Sequence, residues 1–443
     1  MDGFVKKQPL AAFVWLMVCV GRGLLVALVP LALLALAAEA ADVGEAAGAT
    51  DFGEAAAEIP LADSSIRFLN FNKPLTLKPL QGLDYQLEPG SQKVRISDRL
   101  LVATRQPQWL QSLSIREPEV LSATPLYQGH IQYWQLQLSS VGLLQAWLDR
   151  LKDEPAVLHV QPDLLQLGGK RLQNKTNALP GDAPPATEMR RLALELGLKG
   201  DGKGATIAVI DDGFDLSHPQ LADLKTEFEF DIASRTTDAR PRAITERHGT
   251  AIAGVLFGKR DGIAPDGIVP AASLIAIRQP DSWTSNTLLA FQLAHLAGAD
   301  VINCSWTSPM LLQPITDVVD DLARHGRDGL GMPVVFAAGN QGRLITGYST
   351  EAAIAEALVV GAAGPDGRRL RFSNHGPTVD FYAPALKTTT TAPNHDYASF
   401  SGTSFAAALT SGLIAQLIAN DASQTLAQLQ QQLQTLWPGP SKE

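Results

Sequence analysis

Cysteine is nearly absent: the 443 residues carry two, Cys19 and Cys304. Cys19 lies in an apolar N-terminal stretch, so a processed chain keeps one thiol and an internal disulfide framework is excluded. Cys304 falls in an apolar run over 300–306, where a cysteine reads as a small core residue rather than a reactive thiol. Basic clusters are missing as well. Thirty-six Lys and Arg stand against 45 Asp and Glu, for a net charge of −9. Phosphate binding needs a basic face, so this balance argues against a nucleic-acid partner. Histidine is sparse, and His130, His159, His295, His325, His375 and His395 show no metal-ligand spacing, which makes them surface or core residues. No long-period repeat is present. Apolar residues are plentiful, at 45% against 18% charged, so the chain is globular and long enough for two domains with a sizeable core.

The N-terminus carries a targeting signal. Lys6 and Lys7 precede an apolar stretch over 10–38 that only Arg22 interrupts. Residues 24–38 have the length of a signal-peptide apolar region, and Ala38-Glu39-Ala40 fits an A-x-A cleavage site. Taken whole, 10–38 is long enough to span a bilayer, at a cost of roughly 2.5–3.5 kcal/mol for Arg22. Residues 1–40 are therefore a signal peptide or a membrane anchor. Export with cleavage, to a secreted or periplasmic location, is the preferred expectation, and membrane attachment applies only if 10–38 stay uncleaved. No lipid-attachment pattern surrounds Cys19.

Composition divides the rest. Residues 41–64 read as a flexible linker. Residues 65–167 read as a small α+β domain: a hairpin or two before 95, strands at 98–104, 131–138 and 157–161, and a helix at 141–152. Residues 168–189, rich in Gly, Pro, Asn and Lys, form a second linker. Its Gly169-Lys170-Arg171 is read as an ordinary charged loop, although processing at a dibasic pair is feasible. Residues 190–437 alternate apolar strands (206–210, 274–278, 300–305, 334–338, 358–362) with helices (249–257, 287–297, 315–325, 404–418), and a Gln/Leu-rich helix follows 422. That is the pattern of a parallel sheet covered on both faces, which binds ligands beyond the carboxyl ends of its strands. Residues 438–443 are a tail.

Within that α/β region, chemistry-bearing residues stand at strand-to-helix turns. The run Ala205-Thr206-Ile207-Ala208-Val209-Ile210 ends in Asp211-Asp212-Gly213. His248-Gly249-Thr250 opens an apolar helix, and Ser401-Gly402-Thr403-Ser404 opens another. A serine hydroxyl needs a base within hydrogen-bond reach, an imidazole suits that role, and a carboxylate holds the imidazole in the correct tautomer. Each residue alone has a blander reading, as a cap, a helix start or a turn. Asp212, Asp215 and Asp266 are read that way. Asp211, His248 and Ser404 together, in that order, match one known ordering of the catalytic triad.

Four separated blocks carry a family resemblance: Val209-Ile210-Asp211-Asp212-Gly213 with His218-Pro219, Arg247-His248-Gly249-Thr250-Ala251, Ala337-Ala338-Gly339-Asn340, and Ser401-Gly402-Thr403-Ser404. Over roughly 190–420 the chain resembles the subtilisin-like serine peptidases (subtilases). The resemblance implies a subtilisin-like α/β fold, a mostly parallel sheet with helices on both faces, preceded by a small α+β pro-region that assists folding and inhibits the site. It implies hydrolysis of protein or peptide substrates through an acyl-enzyme, with Asn340 as oxyanion donor and His218 structural. The specificity walls fall around 305–309 and 337–340, with Ser305, Trp306 and Gly339 as substrate-binding residues. Whether Trp306 narrows the pocket or packs behind it stays open. The chemistry needs no cofactor; structural calcium is common in the family, but no site stands out here. Ala408 replaces the proline usual four residues after the nucleophile, and Ala383-Pro384-Ala385 has alanine where glycine is common. Asp211-Asp212 and Ser305-Trp306 are similar to the kexin branch without establishing dibasic specificity. An anchored processing peptidase with few substrates and a catalytically silent peptide-binding relative are the alternatives, and the intact triad counts against the second.

Overall fold

The computed structural model describes residues 65–167, 191 and 194–437, apart from 263–265, 348 and 386. The expected leader or anchor (1–40), the linkers (41–64 and 168–189) with their dibasic pair, and the tail (438–443) lie outside the described residues.

Alternating burial in Ile66, Phe68 and Asn70 marks β1 (Ile66–Asn70) as a half-buried strand. It opens an antiparallel meander with β2 (Lys73–Gln81) and β3 (Asp84–Glu88) that leads into the long β4 (Lys93–Thr104). There follow α1 (Pro107–Arg116), β5 (Val120–Gln128), β6 (Gln132–Leu138), α2 (Leu144–Leu151) and β7 (Val157–Leu167). From β4 onward this is a strand-helix-strand-strand-helix-strand unit with spatial order β5-β6-β4-β7, the split βαβ arrangement. The α+β character matches the reading of the sequence, but two elements, α1 and β5, are additional and the strand expected at 157–161 runs longer. Helix α1 buries only Leu110 and Leu113, β5 carries Pro125, and β7 runs past Pro162 to Leu167. Pro162 is tolerated because it faces Leu100 beside a register shift in β4.

The second sheet is parallel throughout. Its strands are β8 (Thr206–Asp211), β9 (Thr226–Asp231), β10 (Ser273–Arg278), β11 (Val301–Cys304), β12 (Val334–Ala337), β13 (Leu358–Ala363) and β14 (Phe381–Pro384), in the order β14-β13-β12-β11-β8-β10-β9. The central strands are buried along their whole length apart from Thr206 at the start of β8, which explains their near-continuous apolar sequence. On one face pack α3 (His248–Phe257) and α6 (Thr403–Asn420), with a hairpin of β15 (Thr388–Ala392) and β16 (Asp396–Phe400) laid over α3. On the other lie α4 (Thr284–Leu296) and α5 (Gln313–His325). Helix α7 (Leu426–Leu436) closes the described chain behind a Thr425–Gln428 capping box. By length and composition α6 could cross a membrane, but it is buried within this fold and is a core helix.

Successive strands leave β8 in one direction as β10 and β9, and in the other as β11 to β14. The carboxyl ends of β8 and β11 therefore flank the point where the winding reverses, where open parallel sheets form their clefts.

Candidate active site

Strand β8 delivers Asp211, 1% exposed, to that cleft. His248 is the first residue of α3, and its Nδ1 lies 3.0 Å from both Asp211 carboxylate oxygens. Two equal contacts hold the ring with Nδ1–H donating, which leaves Nε2 as the acceptor nitrogen. Phe400 packs against the imidazole at a centroid distance of 5.4 Å. Gly249 is required by close approach: a Cβ there would meet Gly213 O at 2.5 Å and Asp211 Cβ at 3.0 Å. The absence of a side chain thus lets α3 begin against the end of β8.

Asp212 turns its carboxylate onto the start of the same helix. Oδ2 accepts from His248 N (3.2 Å) and Oδ1 from Gly249 N (2.8 Å), so the cap comes from a neighbouring strand end. Burial, followed by the Asp211 charge, pushes its carboxyl up to about 6, against the pull of His248 and the two amides. The loop entering α3 is fixed from the other side. Arg278, 4% exposed, donates to Asp231 Oδ2 (2.8 Å) and to both Glu246 oxygens (2.9 and 2.5 Å).

Ser404 is the second residue of α6 and 2% exposed; the preceding Gly402 takes φ +100°, a conformation that favours glycine. Its hydroxyl donates to Ser305 O at 2.9 Å, and Ser305 Oγ donates back to Ser404 O at 3.1 Å. This reciprocal pair ties the end of β11 to the start of α6. Trp306 packs behind the cleft: it is 5% exposed, its indole N–H donates to Ile210 O (2.8 Å), and its ring meets Phe336 edge-on. Beyond β12, Gly339 takes φ +98° and has no room for a Cβ beside Asn374. Asn340 Oδ1 accepts from both Thr403 N and Thr403 Oγ1 at 3.0 Å. Thr403 thereby fixes the amide, with Nδ2 on the opposite edge.

His218 uses both ring nitrogens structurally, accepting from Gln220 N (3.1 Å) and facing Asp396 O (3.0 Å). Asp215 binds Ser217 Oγ and Asn394 N, a turn role. Contacts from Thr403, Glu246 and Arg278 had no sequence signal, because each partner is remote along the chain.

The N-terminal sheet docks on the α4–α5 face. Asp163, fully buried, accepts from Ser285 N (2.9 Å) and Oγ (2.7 Å) and pairs with Arg99 (3.0 Å). The end of β7 lies between two segments of the parallel-sheet region: Leu165 bridges Trp283, and Gln166 exchanges two hydrogen bonds with Met310 (2.8 and 2.9 Å).

The histidines show no metal-ligand spacing among themselves in the sequence, but the fold brings the ligand atoms of His130, Asp321 and His325 within 4.8 Å of one another. It is the one such group among the described residues, and two of its donors are imidazoles, which suit oxygen-seeking calcium poorly. No calcium site is assigned.

Residues 202–436 match the family model described as the subtilase family. Subtilisin E of Bacillus subtilis (strain 168) is 28% identical over 314 residues, covering 68% of this chain and 77% of its own. A thermophilic serine proteinase of Bacillus sp. (strain AK1) is 31% identical over 284 residues, covering 62% and 67% respectively. Among solved structures, a cold adapted subtilisin-like serine proteinase is 22% identical with a TM-score of 0.45, covering 53% of this chain and 82% of its own.

Proposed function

The chain belongs to the subtilase family and is a serine-type endopeptidase, and on that premise we propose that Asp211, His248 and Ser404 are its catalytic triad and Asn340 its oxyanion donor. The observation that carries this reading is the double contact of Asp211 with His248 Nδ1, 3.0 Å to each oxygen. It presents Nε2 as the base.

In this mechanism the Ser404 hydroxyl leaves Ser305 O by rotation about its Cα–Cβ bond and gives its proton to Nε2 as Oγ attacks the peptide carbonyl carbon. Asp211 stabilises the imidazolium. The oxyanion receives the Ser404 backbone N–H at the α6 N-terminus and the Asn340 amide. Collapse breaks the C–N bond, the amine departs with the proton from Nε2, and water repeats the steps to free the acid and Ser404. No cofactor takes part. Ser305, Trp306 and Gly339 border the substrate cleft, with Trp306 contributing from behind rather than as an open wall.

Residues 65–167 act as an inhibitory pro-region of the 190–437 peptidase domain, which is made as an exported precursor acting on proteins or peptides. Support comes from the end of β7, where Leu165 bridges Trp283 and Gln166 bonds Met310 in the loop after Ser305. The test is the mass of the full chain followed over time beside Ser404→Ala. The native chain cuts itself between 167 and 190 and the variant stays whole; a stable native chain without peptidase activity contradicts the reading.

A further inference from the structure

The β5–β6 turn of the N-terminal sheet is pressed onto α5 around one carboxylate. Asp321 Oδ2 accepts from Tyr127 Oη (2.8 Å) and His130 N (3.0 Å), while Oδ1 lies 2.8 Å from His325 Nδ1 and 3.6 Å from His130 Nδ1. Gly129 permits this approach, since a Cβ there would stand 1.9 Å from Asp321 Oδ2. His325 follows Asp321 by one helical turn, the spacing that puts two donors on one helix face. The His130 and His325 rings stack with centroids 3.5 Å apart.

These groups open on a cavity of about 260 Å³ that His295 of α4 also lines. Its buried Nδ1 has no hydrogen-bond partner among the described residues. The two imidazoles and the carboxylate thus stand together at the edge of a cavity with room for water.

We propose that His130, Asp321 and His325 bind one divalent transition-metal ion of the zinc type, and that the ion staples the N-terminal sheet to α5. Nitrogen donors plus one carboxylate select such ions over calcium or magnesium. With bonds of about 2.0–2.2 Å, tetrahedral donors stand about 3.3–3.6 Å apart. The three donor atoms, all within 4.8 Å, reach that spacing by side-chain rotation. His130 is 70% exposed at its side chain, so solvent gives its ring room to move. Binding across the junction strengthens docking by mass action, up to about a hundredfold at metal concentrations a hundred times the Kd. The ion site itself does not depend on the peptidase mechanism; only its consequence for inhibition rests on the pro-region reading.

The test uses the metal-stripped full chain carrying Ser404→Ala, so that self-cleavage plays no part. Co²⁺ is titrated by visible absorption and then displaced by Zn²⁺. The expected result is one Co²⁺ per chain, affinity at least tenfold weaker in His130→Ala and in His325→Ala, and no change in His375→Ala. Zn²⁺ also raises the thermal midpoint, and does so less in His130→Ala. His130 is an exposed turn residue, so its variant retains the fold. A folded chain that binds no ion in stoichiometric amount overturns the site. Binding that needs His325 but ignores His130 overturns the staple.

Discussion

Thr403 holds Asn340 twice, through its backbone N–H and its hydroxyl, each 3.0 Å from Asn340 Oδ1. The residue before the proposed nucleophile thus orients the proposed oxyanion donor. Thr403 Oγ1 also accepts from Gly339 N (3.2 Å), so one hydroxyl coordinates both. Asn340→Ala is expected to lower kcat by about 10²–10³, the loss a subtilisin shows on removal of its oxyanion donor. Thr403→Val keeps the backbone bond and loses the hydroxyl, for about a tenfold fall in kcat with KM little changed. In the Asn340→Ala background Thr403→Val should cost little; full additivity contradicts the positioning role.

Loss of the triad should be far larger. Ser404→Ala and His248→Ala are each expected to lower kcat on the order of 10⁶, and Asp211→Ala by about 10⁴, the sizes measured for a subtilisin triad. The double variant Ser404→Ala/His248→Ala should lose no more than either alone. Steady-state hydrolysis of a peptide substrate reads this, and multiplying losses contradict a concerted site.

Asp212 makes stability depend on pH. Its folded carboxyl sits at about 6, above the roughly 3.9 of an unfolded aspartate. The folded chain therefore holds a proton that the unfolded chain gives up between those values. The contribution is full below about pH 4 and is lost as pH rises through about 6. Asp212→Asn in the Ser404→Ala chain should flatten the fall in denaturation midpoint between pH 4 and 7. An unchanged slope assigns the titration elsewhere.

Asp163 anchors the docked N-terminal sheet. Its removal strips Ser285 of an acceptor and leaves Arg99 without its buried partner. Truncating one member of such a pair costs about 2–5 kcal/mol. Asp163→Ala in the separated 65–167 segment should weaken its inhibition of the peptidase by thirtyfold or more. Equal inhibition by both forms places the binding energy outside β7.

The five inner strands of the parallel sheet were legible because burial on both faces demands unbroken apolar runs. Its edges were not. Strand β9, Thr-Glu-Phe-Glu-Phe-Asp, alternates acids with aromatics, and β14 ends in proline. The proposed triad stands out in the sequence through its local glycines and its order. Its supports were hidden, because Thr403 meets Asn340 across 63 residues and Arg278 meets Glu246 across 32. Such contacts belong to tertiary packing and leave no periodicity behind. Trp306 illustrates the limit: the sequence leaves open whether it narrows the pocket or packs behind it, and only its bond to the Ile210 carbonyl decides that it faces inward.

The most direct measurement is fluorophosphonate labelling of the native chain after self-cleavage, with the adduct located by peptide mass spectrometry. The account predicts a single adduct on Ser404, absent in Ser404→Ala and strongly slowed in His248→Ala. A folded, cleaved chain that takes no probe, or takes it on another serine, contradicts the assignment of Asp211, His248 and Ser404.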